Sequence, residues 1–329
     1  MQDWLALSDH AAPPGARPAS VTRGLFVVEF RLPLDGPTVL LNHQTRDGRA
    51  LSVFHDPAIG PSLLLRVAGR MRRFRMDARL APDTIGAARI GLWVDGANWR
   101  LTYQELGQES VAELRGIDPL PLDVDLIRQI ADPMGGALRH PAVLWFGLTL
   151  SADLPRAAPW IGPNTPIETD RGPVAAGQLV PGMRVRTLDA GFRPVQRVHR
   201  MTLPAAGSFA PVVLRRPFFA VERDLLVSAD QLLLVAGPSV EYLTGEEEVL
   251  VPAGALADGR AAERDNRRAV IHCVALDLGA PALLVADGCC LLSQPPGAQG
   301  LALPRRTLQN WEMVPLLALM GRTSLRPAA

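Results

Sequence analysis

The sequence predicts a mainly β protein in two domains, and three observations predict it. The chain has 329 residues, about twice the length of a common single domain. Its apolar residues come in short runs of alternating polarity, separated by turn material drawn from 29 Gly and 30 Pro. That cadence belongs to sandwiches and barrels of short strands. A Pro/Ala-rich stretch, Ser151–Pro159, interrupts the pattern near the middle. The expected layout is a lead-in over 1–20, a jelly-roll-like β-sandwich over 21–150, a linker over 151–159, a second β domain over 160–297 and a tail over 298–329.

The elements follow in order. Leu25–Leu32, Thr38–Leu41, Ala50–Phe54, Leu63–Val67, Arg73–Met76, Ala88–Val94 and Asn98–Tyr103 read as strands, each bounded by Gly, Pro or Asp. Leu120–Asp132 reads as a short helix after Pro119 and Pro121, and Ala142–Leu150 as a further buried strand. Beyond the linker, tight turns are expected at Asp170-Arg171-Gly172, Ala190-Gly191, Thr244-Gly245 and Asp258-Gly259, where Gly tolerates the turn backbone. Asn310–Met320 reads as a short C-terminal helix or apolar tail. Pro315 inside it should kink the helix or mark its start.

Composition narrows the function classes. At 48% apolar and 20% charged residues, wholesale disorder is excluded. The 34 basic and 33 acidic residues leave a net charge of +1, so no global field favours nucleic acid or an anionic membrane. Every basic residue is Arg, which excludes Schiff-base and phosphate-loop lysine chemistry. No apolar run approaches the length of a transmembrane helix. The first 20 residues lack a basic segment followed by an apolar core, so no secretory leader is expected. Cys273, Cys289 and Cys290 are too few for a disulfide framework. The default location is cytoplasmic, with leaderless secretion still compatible.

The second domain opens WIGPNTPIETDRGPVAAGQLVPGMRVRTLDAGFRPVQRVHR, residues 160–200. This resembles the start of bacterial Hedgehog/intein (Hint) domains, which open Cys-Phe-x-x-Gly-Thr-x-Ile, then a hairpin, then Leu-x-x-Gly-Asp-x-Val. Thr165 and Ile167 match the opening. Gly172-Pro173-Val174 matches the hairpin, and Leu179–Val185 matches the third element with Met183 in place of Asp. ERDLLVSADQLLLV (Glu222–Val235) is similar to the family's Asp-Leu-x-Val-Ser-x-x-His block. Gly245–Arg260 and Val274–Gly288 resemble two later segments. The resemblance implies a horseshoe-like β domain whose ends meet around a reacting peptide bond.

It also implies self-cleavage chemistry, and here the sequence departs from the pattern. A thiol or hydroxyl at the first position attacks the preceding carbonyl, and a downstream His protonates the leaving nitrogen. This chain has Trp160 at the first position and Gln231 at the end of the block. Gly279 or Pro281 falls where a closing His is expected. An indole forms no ester and an amide transfers no proton near neutral pH. The expectation is a Hint-like domain that has lost autoprocessing and acts as a binding or structural module. One alternative is residual self-cleavage through a non-standard nucleophile, with His199 or His272 as acid/base.

The stretch from Thr22 to Tyr103 is similar in cadence to concanavalin-like or laminin-G-like sandwiches, which implies the second alternative, a glycan-binding, lectin-like module. The partner would then be a protein or a glycan. Six arginines between Arg66 and Arg79 alternate with Val67, Met71, Phe74 and Met76, as a solvated strand face does. A cationic site for sulfated glycan or phosphate is the competing reading. His272, Cys273, Cys289 and Cys290 lack zinc-ligand spacing. Asp56 and Asp95 are candidates for a calcium site of the laminin-G type, and Trp93 and Trp99 for a sugar platform. His43 and His55 have no partner pattern, and Glu246–Glu248 reads as a solvated turn. No cofactor or metal is expected.

Overall fold

The computed structural model describes residues 4–10, 18–81, 84–108, 110–152, 154, 159–257, 259–294 and 301–320. Asp258, most of the expected linker and parts of the lead-in and tail lie outside the described residues. The chain forms two compact units. The first takes the described residues up to Leu154 together with Ala206–Ser208, and the second takes the rest.

The strands of the first unit are β1 (Trp4–Leu7), β2 (Ser20–Val21), β3 (Arg23–Leu32), β4 (Thr38–Gln44), β5 (Ala50–Asp56), β6 (Gly60–Val67), β7 (Arg70–Arg75), β8 (Gly86–Asp95), β9 (Asn98–Glu105), β10 (Val111–Ile117), β11 (Leu122–Asp123), β12 (Leu138–Arg139) and β13 (Val143–Thr149). A six-stranded sheet in the order β1-β13-β3-β8-β9-β10 and a five-stranded sheet in the order β12-β4-β5-β6-β7 share one apolar core. Phe30 and Ile90 from the first sheet and Val53, Leu65 and Phe74 from the second are buried in it. Alternation does this work: Leu51 and Val53 face inward while Ser52 and Phe54 stay half-exposed, because successive strand side chains point to opposite faces. The unit is a β-sandwich.

Five strands were not anticipated, the two-residue β2, β11 and β12 and the longer β1 and β10. Residues 4–7, read as part of a loose lead-in, form β1, all four buried, with Trp4 opposite Thr149. β10 is an edge strand whose residues are mostly exposed, so it carries little apolar alternation to read. The helix also starts later than Leu120. α1 (Val124–Ala131) begins where Asp123 caps it, accepting the Leu126 N–H at 2.8 Å. The same carboxylate meets Arg49 Nη1 at 3.0 Å.

The second unit contains β14 (Pro166–Thr169), β15 (Gly172–Ala175), β16 (Arg184–Thr187), β17 (Gly191–Pro194), β18 (Arg197–Pro204), β19 (Val212–Leu214), β20 (Leu225–Val227), β21 (Leu232–Ala236), β22 (Glu248–Pro252), β23 (Ala262–Arg264), β24 (Val270–Asp277), β25 (Ala282–Ala286) and β26 (Cys289–Ser293). An eight-stranded sheet runs β15-β14-β16-β25-β26-β21-β22, with β17 paired to β16. β18 pairs β24, and β20-β19-β23 form a third sheet. α2 (Pro238–Thr244) and α3 (Asn310–Met320) complete the unit. α3 continues through Pro315, which neither starts it nor stops it. Met313 and Leu316 join the unit's core, and that burial offsets the backbone bond a proline removes.

Candidate functional site

The site is built where the second unit's chain enters its fold. Ile161 pairs antiparallel with both Val227 and Val274. It exchanges hydrogen bonds of 2.9 Å with Val274 in both directions, and Gly162 N–H donates to Leu226 O at 2.6 Å. Residue 160 is thereby carried between the end of β20 and the middle of β24. Both backbone groups of Trp160 go to Ser228. The Ser228 N–H donates to Trp160 O at 2.9 Å, and the Trp160 N–H donates to Ser228 Oγ at 3.2 Å. Trp160 is buried.

Ser228 opens the turn that ends at Gln231, whose N–H donates to Ser228 O at 3.1 Å. Trp160 and Gln231 therefore sit at two sides of one turn, linked through Ser228. The Gln231 side chain is buried, and its amide nitrogen donates to Leu292 O at 2.9 Å and Leu232 O at 3.1 Å. Those bonds tie β21 to β26. This amide is a structural strut.

The two candidate histidines separate. His199 on β18 lies opposite Ala275 of β24. Extending the Ile161–Val274 register by one residue puts Trp160 on the other side of the same Ala275. Directly opposed residues share a face, so Trp160, Ala275 and His199 form one row. The His199 Nε2 is buried without a hydrogen-bond partner among the described residues. His272 stands an odd number of residues from Ala275 and so points from the opposite face. It is exposed, with Nδ1 3.1 Å from Thr202 Oγ1.

Sequence reasoning missed three groups. Ser228 has no role assigned to it from the sequence, although its hydroxyl is the one bonded to the nitrogen of residue 160. Asp230 in the same turn has its carboxyl raised by desolvation and opposed by Arg264. It remains exposed at its surface, so that desolvation is partial. Asp287, with a left-handed φ of 46°, accepts the N–H groups of Glu222 and Arg223 at 3.0 and 2.9 Å and pairs Arg223 Nε at 3.1 Å. It clamps the β25–β26 turn to the loop before β20. Gly288 is required beside it, since a Cβ there would come 2.4 Å from the Ala220 carbonyl oxygen.

The remaining candidates have local roles. Cys273 is pushed up to about 12 and Cys290 to about 11 by burial, and Cys289 rises for the same reason. Their thiolates, the nucleophilic forms, are therefore disfavoured near neutral pH. Among the described residues no group of three or more His, Cys, Asp or Glu is arranged to hold a metal ion. Asp56 caps its own turn through the Ala58 N–H at 2.9 Å. Trp99 packs edge-on against Phe74 at 4.9 Å. His43 meets Gln129 at 3.2 Å. In the arginine run, Arg70 pairs Asp118 at 2.9 Å and Arg73 donates to Ser62 Oγ at 3.0 Å. Glu248 pairs Arg305 at 2.6 Å.

Residues 161–298 match the family model of the Hint domain. The second unit carries a Hint domain. The match begins one residue after Trp160. No curated protein matches the chain. Among solved structures, the gp41-1 intein is similar at 9% identity and a TM-score of 0.26, covering 42% of this chain and 100% of its own. The LG1-3 region of the laminin alpha2 chain is similar at 10% identity and a TM-score of 0.28, over 89% of this chain and 56% of its own. Domains LG4-5 of the mouse laminin alpha1 chain are similar at 10% identity and a TM-score of 0.27, over 90% and 77%. No helix among the described residues is long and apolar enough to cross a membrane.

Proposed function

We propose that the Hint domain of this chain has lost self-cleavage and serves as a binding or structural module for a protein or glycan partner. The observation that carries the reading is the identity of two residues joined through Ser228, Trp160 at the domain's first position and Gln231 at the end of the turn. Trp160 stands where a nucleophile is needed, and an indole cannot take the acyl group. The Gln231 amide is spent on two carbonyl oxygens and acts as neither general acid nor general base near neutral pH. Ser228 Oγ is the hydroxyl bonded to the nitrogen of residue 160, yet among the described residues no histidine or carboxylate is hydrogen-bonded to it. The framework that would position such a bond is retained, and the chemistry that would break it is lacking.

The test is intact mass. The full chain is incubated with and without dithiothreitol over days and weighed. A single species of 329 residues is expected. Pieces of 159 and 170 residues overturn the reading, and loss of that cleavage in His199→Ala would assign it to residual acid/base chemistry.

A further inference from the structure

β10 is the outermost strand of the six-stranded sheet, and its edge is unusual. Natural edge strands are blunted by charge, proline or brevity, and exposed apolar residues on one mark a site of association. Here Val111 is 48% exposed, Leu114 39% and Ile117 71%. The backbone phase is set by the Asp118 N–H, which donates to Ala97 O at 2.8 Å. In an antiparallel ladder bonded pairs alternate. Ala112, Leu114 and Gly116 therefore bond toward β9, while Val111, Glu113 and Arg115 turn their N–H and C=O groups to the open side. The Ile117 carbonyl accepts the Trp99 indole N–H at 3.1 Å, closing that end.

From this edge we infer that β10 pairs antiparallel with β10 of a second copy of the chain, about a two-fold axis at Leu114. The sequence Val111-Ala112-Glu113-Leu114-Arg115-Gly116-Ile117 reads as its own complement under that operation. Val111 meets Ile117 of the second copy, Ala112 meets Gly116, Glu113 meets Arg115, and Leu114 meets itself. An isologous contact needs this self-complementarity. The pleat allows only axes centred on a residue, because opposed side chains must share a face. An axis at Glu113 opposes two carboxylates and one at Arg115 opposes two guanidiniums, both unfavourable across a sheet. The axis at Leu114 opposes unlike charges. It also makes each Glu113–Arg115 pair a bonded one, exchanging both N–H···O bonds through the groups that face outward.

Within one chain Glu113 already pairs with Arg115 and lies 4.0 Å from Arg100. The second copy extends this into an alternating row of charges. A foreign strand of one sign would meet both signs on this edge. A strand with acid and base in reversed order satisfies both, and the chain itself supplies one.

The test is the mass of the full chain by light scattering and sedimentation velocity, up to about 100 μM, roughly a hundredfold above a micromolar dissociation constant. The wild type is expected to form a dimer. Glu113→Arg and Arg115→Glu are each expected to weaken it by about tenfold or more, because symmetry doubles each substitution. An equimolar mixture of these two variants is expected to restore it, since one chain then carries two cations and the other two carboxylates. Arg115→Pro removes an N–H that faces the open edge, where proline is tolerated, and should abolish the dimer with the thermal transition retained. A wild type that stays monomeric over the range overturns the inference. So does a dimer indifferent to Arg115→Pro and to both charge reversals, or a mixture that stays monomeric.

Discussion

His55 should make the sandwich acid-sensitive at a single position. Its ring lies in the shared core between Phe30, 5.2 Å away, and Tyr103, 5.4 Å away. Both ring nitrogens are buried without a hydrogen-bond partner among the described residues. Burial pulls the imidazole down from 6.5 to about 4, and the neighbouring Asp56 opposes this weakly. The folded state thus holds His55 neutral, while the unfolded chain takes up a proton below pH 6.5. Stability is full above pH 6.5, falls as pH drops from 6.5 toward 4, and levels off below. A displacement of about 2.5 pKa units corresponds to a loss of about 3 kcal/mol across that window. His55→Leu replaces the ring with an apolar side chain and should delete this limb. It should also stabilise the unit at pH 7.5 by about 1 kcal/mol, because two unmatched polar atoms leave the core. The assay is urea unfolding between pH 7.5 and 4, read by hydrogen exchange in peptides from β5 and β9, which reports the first unit separately from the second. An acid limb of equal size in both proteins would refute the titration. A variant less stable than wild type at pH 7.5 would refute the unmatched ring.

Further substitutions probe the Hint domain and the helix cap. Trp160→Cys should leave the chain intact by mass, with or without thiol, because Gln231 still supplies no acid or base; efficient fragmentation would contradict this. Gln231→Leu removes the donor to the Leu292 and Leu232 carbonyls and should cost the second unit about 2–3 kcal/mol in urea unfolding. Asp123→Ala removes both the cap of α1 and the partner of Arg49. It should destabilise the first unit by about 2–3 kcal/mol, and protection of α1 amides equal to wild type would contradict the capping role.

Much of the fold was legible because strands of a sandwich advertise their inward face. β5, β8 and β9 bury alternate apolar residues, β3 and the start of β6 are buried as continuous runs, and a strand is expected from the sequence in each of these regions. The helix was legible from the prolines at 119 and 121 that precede it, but its start was not. Asp123 caps only because the chain after Pro121 turns it toward both Leu126 and Arg49. β1 and β10 escaped because four residues are too few to show a period and an edge strand is wet on both faces.

The sequence by itself determined which side chains stand at positions 160 and 231, an indole and an amide, since a side chain's capacity for nucleophilic attack or proton transfer belongs to its identity. It also determined the mainly β architecture, through alternation and turn residues that act over a few neighbours. Only the tertiary structure decided which groups meet. Ser228 holds the nitrogen of residue 160, Asp287 clamps residues 222 and 223, His199 shares a row with Trp160 while His272 faces away, and His55 loses its solvent between Phe30 and Tyr103. Each depends on contacts between residues distant in sequence, whose geometry is set by strand register and packing rather than by local propensity.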